Sequence, residues 1–306
     1  MTLNRSKLWG TAAPAVRGCR QAQAGAARLS FAPVLAHSVG GTLKVMDVIY
    51  GIHVVAEALR ARSRSLDHVE VASERHDQRL QAVIDLARER GVSVRFVPRD
   101  QLDRLARSKS HQGAVAVVSG KSYSELDEIL GAKKGTHNFI LALDGVEDPH
   151  NLGALIRTAD GAGVDGLVIP ERRAVGVNAT VAKASAGASE HVRIARVVNL
   201  ARALDELKER NIWIVGLDER GQSSYDKVDY NMDCAVVLGA EGHGLHDLIR
   251  KKCDYLVSIP MMGRVSSLNV SVAGAVVMYE VSRQRRTVAA IEPSQSPARQ
   301  RKGLGS

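Results

Sequence analysis

Residues 236–245, VVLGAEGHGL, are the part of the sequence best suited to chemistry. An apolar run that predicts a strand leads into Gly239, Gly242 and Gly244, which enclose a single acid, Glu241. Glycine lets the backbone turn tightly and approach a ligand closely. A carboxylate at the carboxyl end of a strand suits a binding or reaction site better than a core. The alternative is a tight loop with a solvated glutamate, which is common between strand and helix.

A second candidate segment, residues 143–163, reads LDGVEDPHNLGALIRTADGAG and predicts a helix. Asp148 can cap this helix, and the proline that follows it suits the first helical position. The expected buried stripe consists of Leu152, Leu155, Ile156 and Ala159. Asn151 and Arg157 lie off that stripe. Their alternatives to a functional role are local hydrogen bonding for Asn151 and a weak surface pair with Asp160 for Arg157.

A third segment, residues 259–272, reads IPMMGRVSSLNVSV and places polar side chains just before another helix. Ser266, Ser267 and Asn269 can cap that helix. A capping role is compatible with a role in a site, so the sequence leaves both interpretations open.

With the glycine loop, these segments resemble, in order and rough spacing, the three blocks of the SpoU class of RNA ribose 2'-O-methyltransferases. The resemblance covers about residues 48–286 and is greatest to bacterial enzymes that methylate a 23S rRNA guanosine. It implies an α/β fold: an L30e-like RNA-binding domain over 46–118, and a SPOUT domain with a deep trefoil knot over 138–286. Knots are rare, so the knot is expected from the resemblance alone.

The resemblance also implies S-adenosylmethionine as cofactor and assigns roles to particular residues. Gly239, Ile259 and Leu268 match positions whose backbone groups meet the cofactor. The polar and catalytic positions of the class are matched by Asn151, Arg157, Glu241, Ser267 and Asn269. No GxGxxG follows an early strand, so a Rossmann-type methyltransferase is disfavoured.

The implied reaction is attack of a ribose 2'-hydroxyl on a sulfonium methyl group. Because the leaving group is neutral, no metal is needed, and the protein must align the oxygen and remove one proton. In the class, Arg157 is the residue that activates the hydroxyl. Since an arginine stays protonated in proteins, we expect Arg157 to orient the hydroxyl and stabilise developing negative charge. The proton would pass to a phosphate or to Glu241.

Two successive alternations of strand and helix predict two α/β halves, over residues 46–118 and 138–286. The linker, 119–137, should hold one short helix, 124–130, capped by Ser124. In the second half, the pattern predicts a parallel sheet with both faces covered. Its expected strands are residues 139–143, 166–169, 192–196, 212–217, 235–238 and 255–259.

The net charge of +9 is concentrated at the two ends of the chain. Residues 1–45 contain six basic residues and no acid, and residues 283–306 contain six basic residues and one acid. Residues 46–282 therefore carry a net charge of −2. We expect residues 1–45 to be disordered, either as a transit peptide or as a stretch translated from a start codon set too early. The tail, 287–306, is expected to be a disordered basic segment that acts as an electrostatic tether or has no role.

RNA contact must therefore depend on a local basic patch rather than on bulk charge. The densest candidate stretch of the first half contains Arg99, Arg104, Arg107 and Lys109, with His111 beside them. These residues are expected to contact phosphates. The alternative is an ordinary solvated helix face.

Three cysteines, Cys19, Cys234 and Cys253, show no metal-ligand spacing and no CxxC pair. Cys234 and Cys253 are expected to be buried thiols in a reducing compartment, and the enzyme is expected to be cytoplasmic. No apolar run reaches the roughly 18 residues that a membrane span needs. The small residues at the start of the last helix, 269–285, suit close packing under a knot, across a homodimer or in an ordinary core.

The sequence thus predicts an enzyme that methylates a guanosine ribose in the peptidyl transferase loop of 23S rRNA. Two alternatives stay open: the same reaction on a tRNA guanosine or another rRNA nucleotide, and a noncatalytic RNA-binding ribosome-assembly factor. Cofactor binding separates the enzyme from the assembly factor.

Overall fold

The computed structural model describes residues 35–291, apart from residues 40, 41 and 76. Its strands form two sheets, one of five strands and one of seven. Among the described residues, no helix is long and apolar enough to cross a membrane.

The first sheet has the strand order β1-β2-β5-β3-β4, in which only β3 and β4 are parallel. Its strands are β1 (Leu35–Val39), β2 (Thr42–Tyr50), β3 (Leu66–Ala72), β4 (Ser93–Val97) and β5 (Ala114–Ser119). Its helices are α1 (Ile52–Ala61), α2 (Gln78–Glu89) and α3 (Arg99–Ala106). Helices α1 and α2 cover one face, while α3 packs on the other.

The second sheet is parallel throughout, with the strand order β10-β12-β9-β11-β6-β7-β8. Its strands are β6 (Phe139–Asp144), β7 (Gly166–Pro170), β8 (Arg193–Val197), β9 (Trp213–Leu217), β10 (Ser223–Ser224), β11 (Cys234–Gly239) and β12 (Tyr255–Ser258). The helices of this half are α4 (Leu126–Leu130), α5 (Pro149–Ala162), α6 (Ala179–Ala184), α7 (Leu200–Glu209), α8 (Asp247–Lys252) and α9 (Val270–Ile291).

The apolar runs of this sheet are buried on both faces because successive side chains point to opposite sides of a strand. Along β6, Phe139 and Leu141 pack in the cluster that contains α5 and α9. Ile140 and Ala142 pack in the opposite cluster, with α7 and α8. A strand at the centre of the sheet therefore reads as a continuous apolar run rather than an alternating one.

The structure corrects the expected boundaries at three places. Strand β1 and the first part of β2 lie within residues 1–45, so the expectation of disorder there is wrong for residues 35–39 and 42–45; residues 1–34 lie outside the described residues. The linker helix α4 is capped by Glu125, with Glu128 reaching back, rather than by Ser124. Helix α9 continues to Ile291, so the expected start of a disordered tail at residue 287 is too early. Residues 292–306 lie outside the described residues.

A buried ion pair joins the two halves. Arg64 of the first half donates from Nε and Nη2 to the two carboxylate oxygens of Glu190, at 2.9 and 2.5 Å. The side chains are 2% and 0% exposed, and Ser63 Oγ adds a hydrogen bond of 2.8 Å to Glu190. Burial alone raises the pKa of Glu190, but Arg64 outweighs it and holds that pKa below its usual range.

Replacing Glu190 with alanine should lower the free energy of unfolding by about 3–5 kcal/mol, because the buried, charged Arg64 would keep only its longer contact with Asp47, at 3.7 Å. Urea denaturation of the full chain measures this change. Since the pKa of Glu190 is lower in the folded chain, its stabilisation is present above the usual glutamate range and is lost as the pH falls through the folded value. The wild type should therefore lose more stability than the variant on acidification.

Glu57 supplies a matched control in the same interface, where it pairs with His191 at 2.7 Å but stays 27% exposed. Replacing Glu57 with glutamine should cost less than about 1 kcal/mol. If both variants lost the same free energy of unfolding, the buried Arg64–Glu190 pair would stabilise the chain no more than the partly exposed Glu57–His191 pair.

Candidate functional site

The candidate site lies where neighbouring parallel strands end. Strands β12, β9, β11 and β6 are adjacent, so their carboxyl ends meet at one edge of the sheet. Strand β11 lies between β6 and β9, at the point where the chain has changed direction across the sheet. Ligands of open α/β sheets bind at such a switch point. The glycine loop follows β11, the segment 143–163 begins at the end of β6, and the segment 259–272 follows β12. All three segments singled out in the sequence are therefore brought to this edge.

The glycine loop is a tight hairpin. Ala240 and Gly244 exchange two backbone hydrogen bonds of 3.1 and 3.0 Å. A Cβ on Gly239 would lie 2.1 Å from the carbonyl carbon of Gly244, so no side chain fits at this position. Gly242 and Gly244 have φ values of 78° and 66°, in the left-handed region that favours glycine. The loop therefore brings bare backbone to the edge of the sheet, with Glu241 at its tip.

Three predicted polar residues form one hydrogen-bonded cluster, which we call the amide–carboxylate cluster: Asn151, Glu241 and Asn269. Glu241 Oε1 accepts from Asn151 Nδ2 at 2.9 Å and from Asn269 Nδ2 at 2.6 Å. Asn269 Nδ2 also reaches Asn151 Oδ1 at 3.1 Å. The cluster ties together residues from α5, the glycine loop and the start of α9.

Asn269 has two roles at once, as the sequence allowed. Its Oδ1 accepts from the backbone N–H of Ser271 at 2.9 Å and so caps α9, while its Nδ2 holds the cluster. Asp148 likewise caps α5 through the backbone N–H groups of His150 and Asn151, as predicted. Within the described residues, Ser266 and Ser267 make no capping hydrogen bond.

A cavity of about 430 Å³ opens beside the loop, within the size range of ligand sites. All three residues expected to meet a cofactor line it: Gly239, Ile259 and Leu268. Ser267, Glu241 and Asn269 line it too. Apolar walls, exposed peptide groups at a position without a side chain, and nearby carboxylates together suit a ligand with an aromatic base and a positive charge. The residues present therefore fit S-adenosylmethionine.

A second cavity, of about 360 Å³, also borders the amide–carboxylate cluster. Asn151 and Glu241 line it, together with Gly145, Arg173, His243 and His246. Glu241 lines both cavities. Groups bound in the two cavities would therefore both lie beside its carboxylate.

Arg157 is not brought to the cluster of its own chain. It lies six residues beyond Asn151 on α5, which is a rise of about 9 Å along the helix. Its side chain is exposed and lines neither cavity. The surface pair with Asp160, the alternative to a functional role, is not formed, and Arg157 has no ion pair with any described residue.

Two carboxylates near the site were missed by the sequence analysis. Asp218 follows β9 and lines the first cavity; it is 5% exposed and accepts from Arg250 Nε at 3.0 Å. Burial alone raises the pKa of Asp218, but hydrogen bonds from the Arg220 backbone and Arg250 lower it below its usual range. Asp144, at the end of β6, holds His246 through Nδ1 at 3.0 Å. The signal that singled out Glu241, an acid at the carboxyl end of a strand, also marks Asp218 and Asp144.

The four predicted RNA-contacting residues, Arg99, Arg104, Arg107 and Lys109, are exposed on α3 and the turn that follows it. Within the described residues they make no ion pair. His111 does not belong with them: it is 0% exposed, and its ring contacts Asp103 and the Gly113 backbone. The patch thus consists of four cations that are free to meet phosphates.

The two described cysteines are free. Cys234 is buried as predicted, whereas Cys253 is only half-buried. Burial raises the pKa of the Cys234 thiol to about 11 and that of Cys253 to about 12. Among the described residues, no group of three or more His, Cys, Asp or Glu could hold a metal ion.

Two family models match the chain. Residues 138–279 match the SpoU rRNA methylase family, and residues 48–124 match the family of RNA 2'-O ribose methyltransferase substrate-binding domains. The first match contains the amide–carboxylate cluster and most of both cavities, and the second contains the basic patch.

Known proteins align over most of the chain. YacO of Bacillus subtilis, which is assigned to the TrmH family of tRNA/rRNA methyltransferases, is 47% identical over 79% of this chain and 97% of its own. The 23S rRNA (guanosine-2'-O-)-methyltransferase RlmB of Bordetella pertussis is 47% identical over 78% of this chain and 98% of its own. The SpoU methyltransferase AviRb of Streptomyces viridochromogenes, solved with AdoMet, has a TM-score of 0.67 and 25% identity, with coverage of 79% and 91%.

Proposed function

This chain belongs to the SpoU rRNA methylase family, and we propose that it methylates the ribose 2'-hydroxyl of a guanosine in the peptidyl transferase loop of 23S rRNA. It is an S-adenosylmethionine-dependent RNA 2'-O-methyltransferase. The observation that carries the proposal is the amide–carboxylate cluster, whose Glu241 lines both cavities. A methyl donor and an acceptor nucleotide need such an arrangement.

Each cavity takes one reactant. Gly239, Ile259 and Leu268 would hold the cofactor, which supplies a methyl group activated by a sulfonium. The acceptor ribose would enter the second cavity, with its 2'-hydroxyl at Glu241 and Asn151. Asn151 and Asn269 fix the carboxylate through two hydrogen bonds, so Glu241 is held in place before the substrate arrives. Glu241 or a phosphate of the RNA would take the hydroxyl proton.

A second copy of the chain would supply Arg157. Because Arg157 lies away from the cavities of its own chain, it can orient the hydroxyl only by reaching a neighbouring site. Beside it, Gly161 of α5 packs against the Tyr279 hydroxyl of α9. On the same helix, Val272 and Tyr279 are each 49% exposed, which leaves an apolar face uncovered in one chain. A homodimer formed through α5 and α9 would cover that face and place Arg157 near the partner's cluster.

The first half would bind the RNA outside the target nucleotide. Its exposed patch on α3, with Arg99, Arg104, Arg107 and Lys109, would contact phosphates in an L30e-like domain. We also propose that the second half is threaded into a deep trefoil knot, as the resemblance of its three blocks to the SpoU class implies. We propose a cytoplasmic site of action, which a ribosomal RNA substrate supports.

The 23S target is favoured over a tRNA target by the RlmB relative, which aligns over 98% of its own length. A strain that lacks the gene should lose one 2'-O-methylguanosine in the peptidyl transferase loop, as detected by mapping of ribose methylation in 23S rRNA. The purified enzyme should restore it. Loss of a tRNA methylation with 23S rRNA unchanged would assign the same chemistry to the rival substrate.

A further inference from the structure

The second cavity is lined by an arginine, Arg173, that has no role in the proposed methyl transfer. Arg173 lines this cavity on the loop that precedes α6, and its side chain is exposed. Among the residues that the structure describes, it has neither an ion pair nor a side-chain hydrogen bond. A guanidinium directed at a substrate cavity without a protein partner is suited to an anionic group of the substrate.

The acids around Arg173 are mostly engaged elsewhere. Glu241 is held in the amide–carboxylate cluster. Asp148 caps α5. Glu147, the remaining acid that lines the cavity, forms no ion pair with Arg173. The charge of Arg173 is therefore available to a ligand.

The backbone at Arg173 is also unusual. Its φ is +58°, in the left-handed region that non-glycine residues rarely adopt. Such strained residues concentrate at functional sites, where the surrounding structure holds them. The neighbouring Gly145, whose φ is +85°, also lines the cavity, and a Cβ there would lie 4.0 Å from the carbonyl oxygen of Arg173. An arginine thus occupies this position at the cavity, although glycine or asparagine would adopt the same φ with less strain.

We propose that Arg173 binds a phosphodiester group adjacent to the acceptor ribose and so fixes the nucleotide in the second cavity. This inference rests on the proposed function of that cavity. The guanidinium holds two oxygens of one phosphate at once, which sets the rotation of the attached ribose. The 2'-hydroxyl of that ribose then points towards Glu241 and Asn151, which both line the cavity. Arg173 is in this sense a substrate-positioning residue.

The experiment compares Arg173→Ala with Arg172→Ala in methyl transfer to a 23S rRNA transcript. Arg172 is the adjacent exposed arginine and lines neither cavity, so it is matched in charge and position along the chain. For Arg173→Ala we expect KM for RNA to rise about tenfold, since one charge-assisted contact is lost. The slope of log affinity against log salt should become shallower by about 0.7, the value for one phosphate of a single strand. Arg172→Ala should leave both quantities unchanged.

A third variant, Arg173→Gly, separates substrate binding from folding. Glycine accepts a positive φ more readily than arginine, so this variant should keep or raise the melting temperature and still show the increased KM. Unchanged KM and salt slope in Arg173→Ala, or equal losses in Arg172→Ala, would overturn the inference.

Binding of the same RNA in the presence of S-adenosylhomocysteine, measured by fluorescence anisotropy, tests the Arg173–phosphate contact independently of the proposed methyl transfer. If the wild type transfers no methyl group to ribose but Arg173→Ala still reduces the salt slope, then the proposed reaction is wrong and the phosphate contact stands.

Discussion

Replacing Arg157 with alanine should lower kcat for methyl transfer by about 10²- to 10³-fold, which is the effect of removing one donor that stabilises developing oxyanion charge. The affinity for S-adenosylmethionine should not change, because Arg157 lines neither cavity of its own chain. The stability should change little as well, since the side chain is exposed and makes no ion pair with a described residue. Single-turnover kinetics and calorimetric titration of the cofactor measure the two quantities.

Mixed dimers show which subunit supplies the arginine. Arg157→Ala and Gly239→Ala, each inactive alone, would be mixed, unfolded and refolded together. If Arg157 acts on the partner's site, each heterodimer contains one intact site, and about a quarter of the wild-type rate should return. A mixture that stays inactive while heterodimers form would place Arg157 in the site of its own chain, or in none.

Replacing Gly239 with alanine should abolish cofactor binding and reduce kcat/KM by at least about 100-fold. The new Cβ would lie 2.1 Å from the carbonyl carbon of Gly244 and 2.4 Å from the Leu245 nitrogen, both of which are backbone atoms. The loop must therefore move, and Glu241 moves with it. A displacement of about 1 Å at reacting groups can cost on the order of 10²-fold. Calorimetry with S-adenosylmethionine measures the loss.

Gly242→Ala is the matched control in the same loop. Gly242 has a φ of 78°, but a Cβ there would meet nothing within 4 Å. This variant bears the backbone strain of a non-glycine residue, about 1–2 kcal/mol, without the clash. It should lose stability yet bind the cofactor. If both variants lost the cofactor equally, general loosening of the loop would explain the result rather than close approach at Gly239.

The sequence predicted every strand of the second sheet except the two-residue β10, because the apolar patterns of the others are strong. The runs around β6 and β11 are apolar throughout, which is typical of central parallel strands with both faces buried. Helix α5 begins with an aspartate cap followed by proline, and the structure places both as predicted. The polar cluster of Asn151, Glu241 and Asn269 was expected only because the three blocks resembled a family, since no periodicity relates residues so far apart.

The features that the sequence analysis missed depend on contacts between distant segments. Strand β1 exists by pairing with β2, and the composition of residues 1–45 gave no sign of it. His111 looked like part of a basic patch, but Asp103 and the Gly113 backbone draw it into the interior. The Arg64–Glu190 pair joins residues 126 positions apart. Arg173 carries no local signal, because its importance arises from a cavity that forms only when β6 and β11 lie side by side.

The most direct test of the central claim is a crystal structure of the enzyme with S-adenosylhomocysteine and a short RNA that contains the target guanosine. We expect the cofactor in the cavity lined by Gly239, Ile259 and Leu268, with its sulfur towards Glu241. We expect the 2'-oxygen of the guanosine in the second cavity, within hydrogen-bond distance of Glu241 or Asn151. A cofactor bound elsewhere, or a target ribose that does not reach the second cavity, would contradict it.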